Sequence, residues 1–424
     1  MIPLSLFGRG LAAINIIIIV IGSGVAVAQP PIEPDQESWE PGRLISAEHT
    51  GRLSAQRVQA QATTLFGGWG QPVIENDVDS YLITLATTGH SGGPVQVRAQ
   101  MFVPVAAPRG ESPLLVYGSG TTGVAQACAP SREAMLDQPL GRYADLLAAY
   151  AGRGFVTVIP DYLGFDLADT PQAYFHAESE AHVLLDAARA VREFFVVSGR
   201  SAELADSAFF GGYSQGGHAA FAVADHHAAY APEVPLEGVL SFAGTTDVQA
   251  LLGEAAYYAP YVVLSYASVY GDSVRPAEIF AERWLSTLES VAAVSCIDRV
   301  QVHYPVAGSG FFTDAFDRGL KDGDLHSVAP GFAAALDANN AGLGGHGAPA
   351  LVVQGGRDVV ISDPVQERFV AALCEAGSAV RYVNYPTARH RDTRQAGFET
   401  SITWMRGLLP LGTAAPDDCG EFTG

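Results

Sequence analysis

Short apolar segments alternate with helical patterns from residue 114 onward, and this alternation restricts the fold more than any other feature of the sequence. Such an order is typical of a mostly parallel sheet with helices on both faces, because parallel strands need a crossover connection that is usually a helix. The predicted strands are 114–117, 155–159, 207–211, 239–243, 350–354 and 380–385. The predicted helices lie near 132–149, 178–197, 216–229, 364–376 and 395–408.

The segment before residue 114 adds an antiparallel start to this sheet. Residues 81–87 and 95–103 both alternate apolar and polar side chains, with turn residues 89–94 between them, so they are predicted to form a hairpin. A helix is predicted around residues 52–64. Residues 29–42, which contain four prolines among acidic residues, are predicted to be an extended arm.

One pair of neighbouring strands is separated by a much longer interval than the others. More than a hundred residues lie between the strands predicted at 239–243 and 350–354. Aromatic and apolar helical patterns occupy most of this interval, and a loop of that length without its own structure is uncommon in a compact domain. We therefore predict that residues 246–347 form a mainly helical cap, inserted between core segments 29–245 and 348–424.

The N-terminus has the pattern of a secretory signal peptide. Arg9 precedes an apolar run at 16–21, and the small residues that follow end in an A-x-A motif at Ala28. The alternative is an uncleaved membrane anchor, but the apolar run is short compared with the about 20 residues that span a bilayer. We predict that residues 1–28 are removed and that the protein is secreted, to the periplasm or to the outside of the cell.

The charge balance limits the partners that the chain can have. Its formal net charge is −21, with 48% apolar and 16% charged residues, which describes a globular and strongly acidic protein. An acidic chain repels nucleic acid and anionic lipid headgroups, so we expect no nucleic-acid partner and expect any lipid binding to depend on apolar contact. No later segment has the length of a transmembrane helix, so we expect no stable membrane anchor after cleavage.

Four cysteines follow the predicted cleavage site. An even number in an exported protein suggests two disulfides, for which three pairings are possible. The alternative is four isolated buried thiols. Their spacings match no zinc-binding pattern. They are Cys128, Cys296, Cys374 and Cys419.

The segment 209–218 is an apolar strand that continues into a small-residue turn and a helix, and it contains the pattern G-x-S-x-G around Ser214. A serine at such a turn has a strained backbone and an accessible hydroxyl, as in the nucleophile elbow of α/β-hydrolases. The N–H of Gln215, at the start of the helix, is a candidate oxyanion donor. The alternative is an ordinary glycine-rich turn between a strand and a helix.

A serine hydroxyl needs a base to act as a nucleophile, and the base needs an orienting carboxylate. In the α/β-hydrolase fold these residues follow in the order Ser, acid, His. Asp358 lies in the turn after a predicted strand and is the candidate acid. Asp363 is the alternative, but it precedes a proline and is expected to cap the next helix. His390 is the only histidine after both Ser214 and Asp358, and is therefore the candidate base.

A second oxyanion donor is expected from the loop after an early strand. The glycine-rich loop 118–123 follows the strand predicted at 114–117, and the N–H of Thr121 is the candidate. A simple glycine turn is the alternative, whereas a phosphate-binding loop is disfavoured because no Gly-Lys-Ser/Thr sequence follows. Chemistry with these groups requires no metal or organic cofactor.

Several segments together resemble the secretory lipases of fungi and bacteria, of which yeast lipase A is the type member. The resemblance extends from near residue 40 to the end, with Ser119 at a position where that family commonly has a histidine. It implies an α/β-hydrolase fold with a cap, an ester or lipid substrate, and the disulfides Cys128–Cys296 and Cys374–Cys419. The segments are 118–123, 128–131, 160–164 and 213–219.

The motifs and the resemblance predict a secreted serine hydrolase that cleaves carboxylic esters through an acyl-enzyme. An exported acyltransferase or a peptidase of the same fold would use the same three residues, because fold alone does not fix the reaction. The third hypothesis is a non-catalytic binding protein with this fold. Such proteins usually lack a member of the triad, whereas this sequence contains all three in order.

Overall fold

The structure is a computed structural model, and it describes residues 19–20, 39–105, 110–136, 139–167, 170–409 and 413–422. Apart from Ile19–Val20, the predicted signal peptide lies outside the described residues. Most of the predicted arm 29–42 also lies outside them.

Within the described residues, ten strands form one sheet in the spatial order β1-β2-β3-β4-β6-β5-β7-β8-β9-β10. Strands β5 to β10 pair in parallel with one another. Strands β2, β3 and β4 pair antiparallel, and so do β4 and β6. The predicted mostly parallel sheet with an antiparallel hairpin at its start is therefore confirmed. The strands β1 to β10 are Ile19–Val20, Leu44–Leu53, Val78–Thr88, Pro94–Pro104, Ser112–Gly118, Val156–Pro160, Leu204–Tyr213, Gly238–Phe242, Ala350–Gly355 and Val380–Tyr385.

Helices cover both faces of the sheet. Helices α3, α4 and α13 pack on one face, and α1, α2 and α15 pack on the other. Neighbouring residues of β5 show the two faces, since Leu114 belongs to the first core and Leu115 to the second, as the alternation of side chains along a strand requires. These helices and the short α14 are α1 Ala55–Phe66, α2 Tyr143–Gly152, α3 Ala177–Val197, α4 Gln215–Tyr230, α13 Asp363–Glu375, α14 Thr393–Ala396 and α15 Phe398–Leu408.

The chain between β8 and β9 forms a helical insertion with its own apolar core. This core extends onto Tyr174 and Phe175, which precede α3, so the insertion packs against loops of the sheet domain. A 3₁₀ turn, Ala256–Tyr258, lies between its first two helices. The helices are α5 Val248–Glu254, α6 Ala259–Tyr270, α7 Pro276–Ile279, α8 Glu282–Ser290, α9 Ile297–His303, α10 Asp314–Asp322, α11 Leu325–Val328 and α12 Pro330–Ala338.

Two disulfides connect distant segments, in the pairing that the family resemblance implies. Cys128, after β5, is bonded to Cys296 at the start of α9, which ties the helical insertion to the loop after β5. Cys374, in α13, is bonded to Cys419 near the C-terminus.

The single helix predicted at 132–149 is wrong. The structure has a 3₁₀ helix, Pro130–Met135, and then α2, which begins at Tyr143. Pro139 cannot donate a backbone hydrogen bond, and Arg142 has a left-handed φ of 53°, so a continuous helix cannot form across this segment.

Two other helix boundaries also differ from the prediction. The helix predicted at 52–64 begins at Ala55, because β2, which the sequence did not predict, continues to Leu53, and the Ser54 side chain caps α1. The helix predicted at 395–408 is divided at Gly397 into α14 and α15. A Cβ atom at Gly397 would lie 2.8 Å from Val353 Cγ1, so the chain bends where it packs closely on β9.

Candidate active site

Ser214 lies at the sharp turn between β7 and α4. Its backbone has φ 55° and ψ −114°, in the left-handed range that a residue with a side chain rarely adopts. Backbone hydrogen bonds hold this conformation from both sides, since Ser214 N–H donates to Phe242 O at 3.0 Å and Thr245 N–H donates to Ser214 O at 3.0 Å. The strained serine is therefore fixed by the end of β8 and the loop that follows it.

The glycines of the G-x-S-x-G pattern allow backbones to touch. A Cβ atom on Gly212 would lie 2.2 Å from the carbonyl oxygen of Gly216, and one on Gly216 would lie 1.9 Å from that of Gly118. These contacts leave no room for any side chain at either position. The elbow and the loop after β5 are thereby brought into direct contact.

The structure brings Ser214, His390 and Asp358 together in one hydrogen-bonded chain. His390 Nε2 is 3.0 Å from Ser214 Oγ, and His390 Nδ1 is 2.7 Å from Asp358 Oδ2. The other carboxylate oxygen of Asp358 accepts from the N–H groups of Val360 at 2.8 Å and Ile361 at 3.0 Å. The carboxylate is therefore held by its own loop, and it orients the imidazole towards the serine.

Asp363, the alternative acid, lies elsewhere. It is the first residue of α13, where it accepts hydrogen bonds from Tyr382 Oη and Asn384 Nδ2 on β10. The expectation that it caps this helix is wrong, because Ser362 occupies the N-cap position and the Asp363 carboxylate is bonded to the sheet instead.

The loop after β5, residues 118–123, is fixed by hydrogen bonds on several sides. Gly120 N–H donates to Tyr143 Oη at 2.7 Å, and Ser119 O accepts from Tyr162 Oη at 2.9 Å. The Thr121 hydroxyl is 2.6 Å from the Tyr174 hydroxyl. Because the Gly120 N–H is already donated to a tyrosine, the N–H of Thr121 is the next candidate donor along this loop.

The segment that follows β6 contacts this loop through Tyr162, and it contacts the 3₁₀ helix Pro130–Met135 through Asp161. Asp161 is fully buried and accepts from Ser131 N–H at 2.9 Å, next to the disulfide cysteine Cys128. Burial and the neighbouring Asp166 carboxylate raise the pKa of Asp161 to about 7. Asp161, in the sequence block 160–164, therefore holds the segment that follows the disulfide-bonded Cys128.

Gln215, the other candidate donor, is the first residue of α4. A backbone N–H in the first turn of a helix has no acceptor within that helix. The Gln215 side chain is buried, and its Nε2 donates to Glu180 Oε1 at 2.7 Å. No sequence motif pointed to Glu180 or to His218, whose Nδ1 is 2.6 Å from Glu180 Oε2.

Ser214 is buried, with only 3% of its surface exposed. Its hydrogen-bond partner His390 is buried as well. Tyr258 lies in the 3₁₀ turn Ala256–Tyr258, between the first two helices of the insertion. Burial raises the pKa of Tyr258, whose electrostatic neighbours include Tyr174 and Tyr213 beside the elbow.

Two general features of the described residues bear on possible ligands. Within the ranges that the structure describes, no group of three or more His, Cys, Asp and Glu side chains is arranged to hold a metal ion. No helix in the same ranges combines the length and apolar character needed to cross a membrane.

Comparisons with solved structures show the same fold. The rice cell wall degrading esterase LipA from Xanthomonas oryzae matches with a TM-score of 0.69 and 20% identity over 87% of this chain and 97% of the other. A putative hydrolase from Legionella pneumophila matches with a TM-score of 0.73 and 18% identity over 88% and 100%. Candida antarctica lipase A matches with a TM-score of 0.67 and 17% identity over 91% and 85%. No curated protein sequence matches this chain.

The sheet order, the elbow and the inserted helices define an α/β-hydrolase. The family model described as Secretory lipase matches residues 143–409, well over half of the chain. The chain therefore belongs to the secretory lipase family, and it is a carboxylic ester hydrolase of the lipase and esterase type.

Proposed function

We propose that this hydrolase is a secreted serine esterase or lipase with Ser214, His390 and Asp358 as its catalytic triad. His390 removes the proton from Ser214 as the serine oxygen attacks the ester carbonyl. It then donates that proton to the leaving alcohol, and water hydrolyses the acyl-enzyme by the reverse route. Asp358 stabilises the imidazolium form of His390.

The proposal rests on the two distances that link the three residues, 3.0 Å from His390 Nε2 to Ser214 Oγ and 2.7 Å from His390 Nδ1 to Asp358 Oδ2. Both are within the range that general-base catalysis requires. The strained, positive φ of Ser214 supports it independently, because such strain is typical of nucleophile elbows.

The oxyanion of the tetrahedral intermediate is assigned to the N–H groups of Gln215 and Thr121. The backbone contact between Gly216 and Gly118 supports this assignment, since it brings the two donor segments side by side. Each such donor contributes about 3–4 kcal/mol to transition-state stabilisation in comparable enzymes.

The helical insertion, residues 246–347, is proposed to act as a cap between core segments 29–245 and 348–424. The low exposure of Ser214 and the packing of the insertion on Tyr174 and Phe175 support this role. Substrate would then enter by displacement of the 3₁₀ turn Ala256–Tyr258, between the first two helices of the insertion.

Secretion is part of the proposal. The family is secretory, and two disulfides are typical of proteins that fold in an oxidising compartment. Expression with the full N-terminus, followed by N-terminal sequencing of the protein outside the cytoplasm, should give a chain that begins at Gln29.

Hydrolysis of p-nitrophenyl esters from acetate to palmitate tests the proposed reaction. Ser214→Ala should lower kcat by about 10⁶-fold, as for the nucleophile of other triads. Ser265→Ala is the matched control, because it removes a buried serine hydroxyl from α6 in the insertion and should leave kcat unchanged. Ser214→Ala with the wild-type kcat would contradict the proposal.

The same assay, with an added acceptor and with peptide substrates, distinguishes an esterase from an acyltransferase and from a peptidase. Addition of an alcohol acceptor shows whether the acyl group goes to water or to the acceptor, and peptide substrates test for a peptidase. An esterase or lipase releases mainly free acid and leaves peptides intact. Activity that persists on the long acyl chains would identify a lipase, whereas activity confined to acetate and butyrate would identify an esterase of small substrates.

A further inference from the structure

A second buried carboxylate–histidine pair lies beside the elbow, and the proposed mechanism does not use it. Glu180 in α3 and His218 in α4 are both buried, with Glu180 Oε2 only 2.6 Å from His218 Nδ1. The other ring nitrogen, Nε2, is 2.7 Å from the backbone oxygen of Asn339. Because that oxygen can only accept, Nε2 carries a proton, and the proton between Nδ1 and the carboxylate completes an imidazolium–carboxylate pair.

The electrostatics agree with this protonation. Burial alone lowers the pKa of His218, but the Glu180 carboxylate raises it, and the net result lies above the ordinary value. The pair is electrically neutral as a whole, so it can be buried without an uncompensated charge.

Glu180 holds the first proposed oxyanion donor. Its Oε1 accepts from Gln215 Nε2 at 2.7 Å, which anchors the side chain of the residue directly after Ser214. Anchoring that side chain restrains the first turn of α4 and, with it, the direction of the Gln215 N–H.

The same carboxylate oxygen is also connected, through Phe175 and Tyr174, to the loop that contains the second proposed donor. It accepts from Phe175 N–H at 3.1 Å, and Phe175 has a left-handed φ of 55°. The preceding residue, Tyr174, is fully buried and bonded through its hydroxyl to Thr121 Oγ1 at 2.6 Å. Glu180 therefore stabilises the strained backbone that presents Tyr174 to the loop containing Thr121.

We propose that Glu180, neutralised by His218, is a positioning residue that holds both oxyanion donors in place. This inference rests on the proposed function, because it assigns a role relative to the Ser214 site. His218 keeps the carboxylate from adding negative charge beside the developing oxyanion. Its bond to Asn339, which follows α12, connects the same network to the end of the helical insertion.

The test is a double-mutant cycle with Glu180→Ala and Gln215→Ala, measured as kcat and KM on a p-nitrophenyl ester. Gln215→Ala retains the backbone N–H and removes only the anchored side chain. Each single variant should lower kcat about 10- to 100-fold, as expected for a catalytic group displaced by a fraction of an ångström, with KM little changed. The double variant should lose no more than the more impaired single variant, because both changes break the same contact.

Three further variants complete the test. Glu180→Gln keeps an oxygen for Gln215 and Phe175, so it should recover most of kcat. Tyr174→Phe removes the hydroxyl bonded to Thr121 and should lower kcat without a change in KM. Asp186→Asn is the matched control, since Asp186 is an equally buried carboxylate on α3 that is bonded to Thr87, Tyr230 and Arg189 away from the elbow, and its kcat should equal that of the wild type.

All rates are normalised to the fraction of folded protein, measured by circular dichroism and size-exclusion chromatography, so that loss of folded protein does not count as loss of kcat. If Glu180→Ala does not fold, Gln215→Ala and Tyr174→Phe carry the test. Wild-type kcat in Gln215→Ala and Tyr174→Phe, or additive losses in the cycle, would overturn the positioning role. A wild-type protein without esterase activity would overturn the proposed function instead.

Discussion

Gly216 and Gly118 touch through their backbones, and a Cβ atom on Gly216 would lie 1.9 Å from the carbonyl oxygen of Gly118. The helix that follows the elbow and the loop after β5 are thus separated by no side chain. The relative position of the two proposed oxyanion donors, one on each segment, depends on this contact.

Gly216→Ala should therefore reduce activity far more than an ordinary glycine substitution in a helix. The methyl group forces the two segments apart, and a displacement of about 1 Å at a catalytic group can cost about 10²-fold in rate. Gly253→Ala in α5 is the control, because a Cβ atom there meets no heavy atom within 4 Å. Comparable kcat in the two folded variants would show that the close contact does not position the site.

The two aspartates considered as the acid should behave differently. Asp358→Asn leaves the geometry near His390 in place but favours the wrong tautomer, and it should lower kcat by about 10⁴-fold. Asp363→Asn disturbs only the contacts with Tyr382 and Asn384, so it should lower the unfolding temperature and leave kcat unchanged. Steady-state kinetics and thermal unfolding of both variants check this, and a reversed pattern would assign the acid to Asp363.

The two disulfides should contribute to different properties. Cys128–Cys296 joins the segment that follows loop 118–123 to the insertion, so its replacement by two serines should lower both stability and kcat. Replacement of Cys374–Cys419 should lower stability without changing kcat, because this bond lies between α13 and the C-terminal segment. Denaturant unfolding and ester hydrolysis of each double variant measure the two effects. An unchanged kcat without Cys128–Cys296 would argue against its role in holding the site.

The buried carboxyl of Asp161 should give the stability a specific pH dependence. Its pKa is raised to about 7, so the folded protein keeps a proton that the unfolded chain releases near pH 4. The stabilisation from this group is fully present below about pH 4 and is lost as the pH rises towards 7. Asp161→Asn is neutral throughout, so the unfolding temperature of the wild type relative to this variant should fall between pH 4 and pH 7. The surface variant Asp272→Asn, measured over the same range, controls for the pH dependence of the rest of the chain.

The central strands could be predicted from sequence for a clear physical reason. Strands β6, β8 and β9 are buried on both faces, so they read as continuous apolar runs. Strand β2 was missed because it is half exposed and contains polar residues such as His49 and Arg52.

The prediction of one helix at 132–149 was wrong because contacts outside the local sequence decide where α2 begins. The Glu133 carboxylate accepts from the backbone N–H groups of Arg142 and Tyr143 at 2.7 and 3.1 Å, and so stabilises a separate start for α2. No local sequence pattern indicates that a side chain about ten residues earlier in the chain stabilises the N-terminus of this helix.

Some residues of the candidate site can likewise be predicted from the sequence, whereas others are identified only by the structure. Ser214, Asp358 and His390 follow from one motif and from chain order, because the fold fixes that order. Glu180 lies on a helix whose pattern indicates only an apolar face, and its partners Gln215 and Phe175 are identified by three-dimensional contact alone.

Covalent labelling with a fluorophosphonate, followed by mass spectrometry of the labelled peptide, determines whether Ser214 is the activated nucleophile. The reagent reacts with a serine only when a base and an oxyanion site activate it. We expect one label per chain, on Ser214, with loss of ester hydrolysis in proportion to labelling. Full esterase activity in a protein that is unlabelled at Ser214, or labelled at another residue, would contradict it.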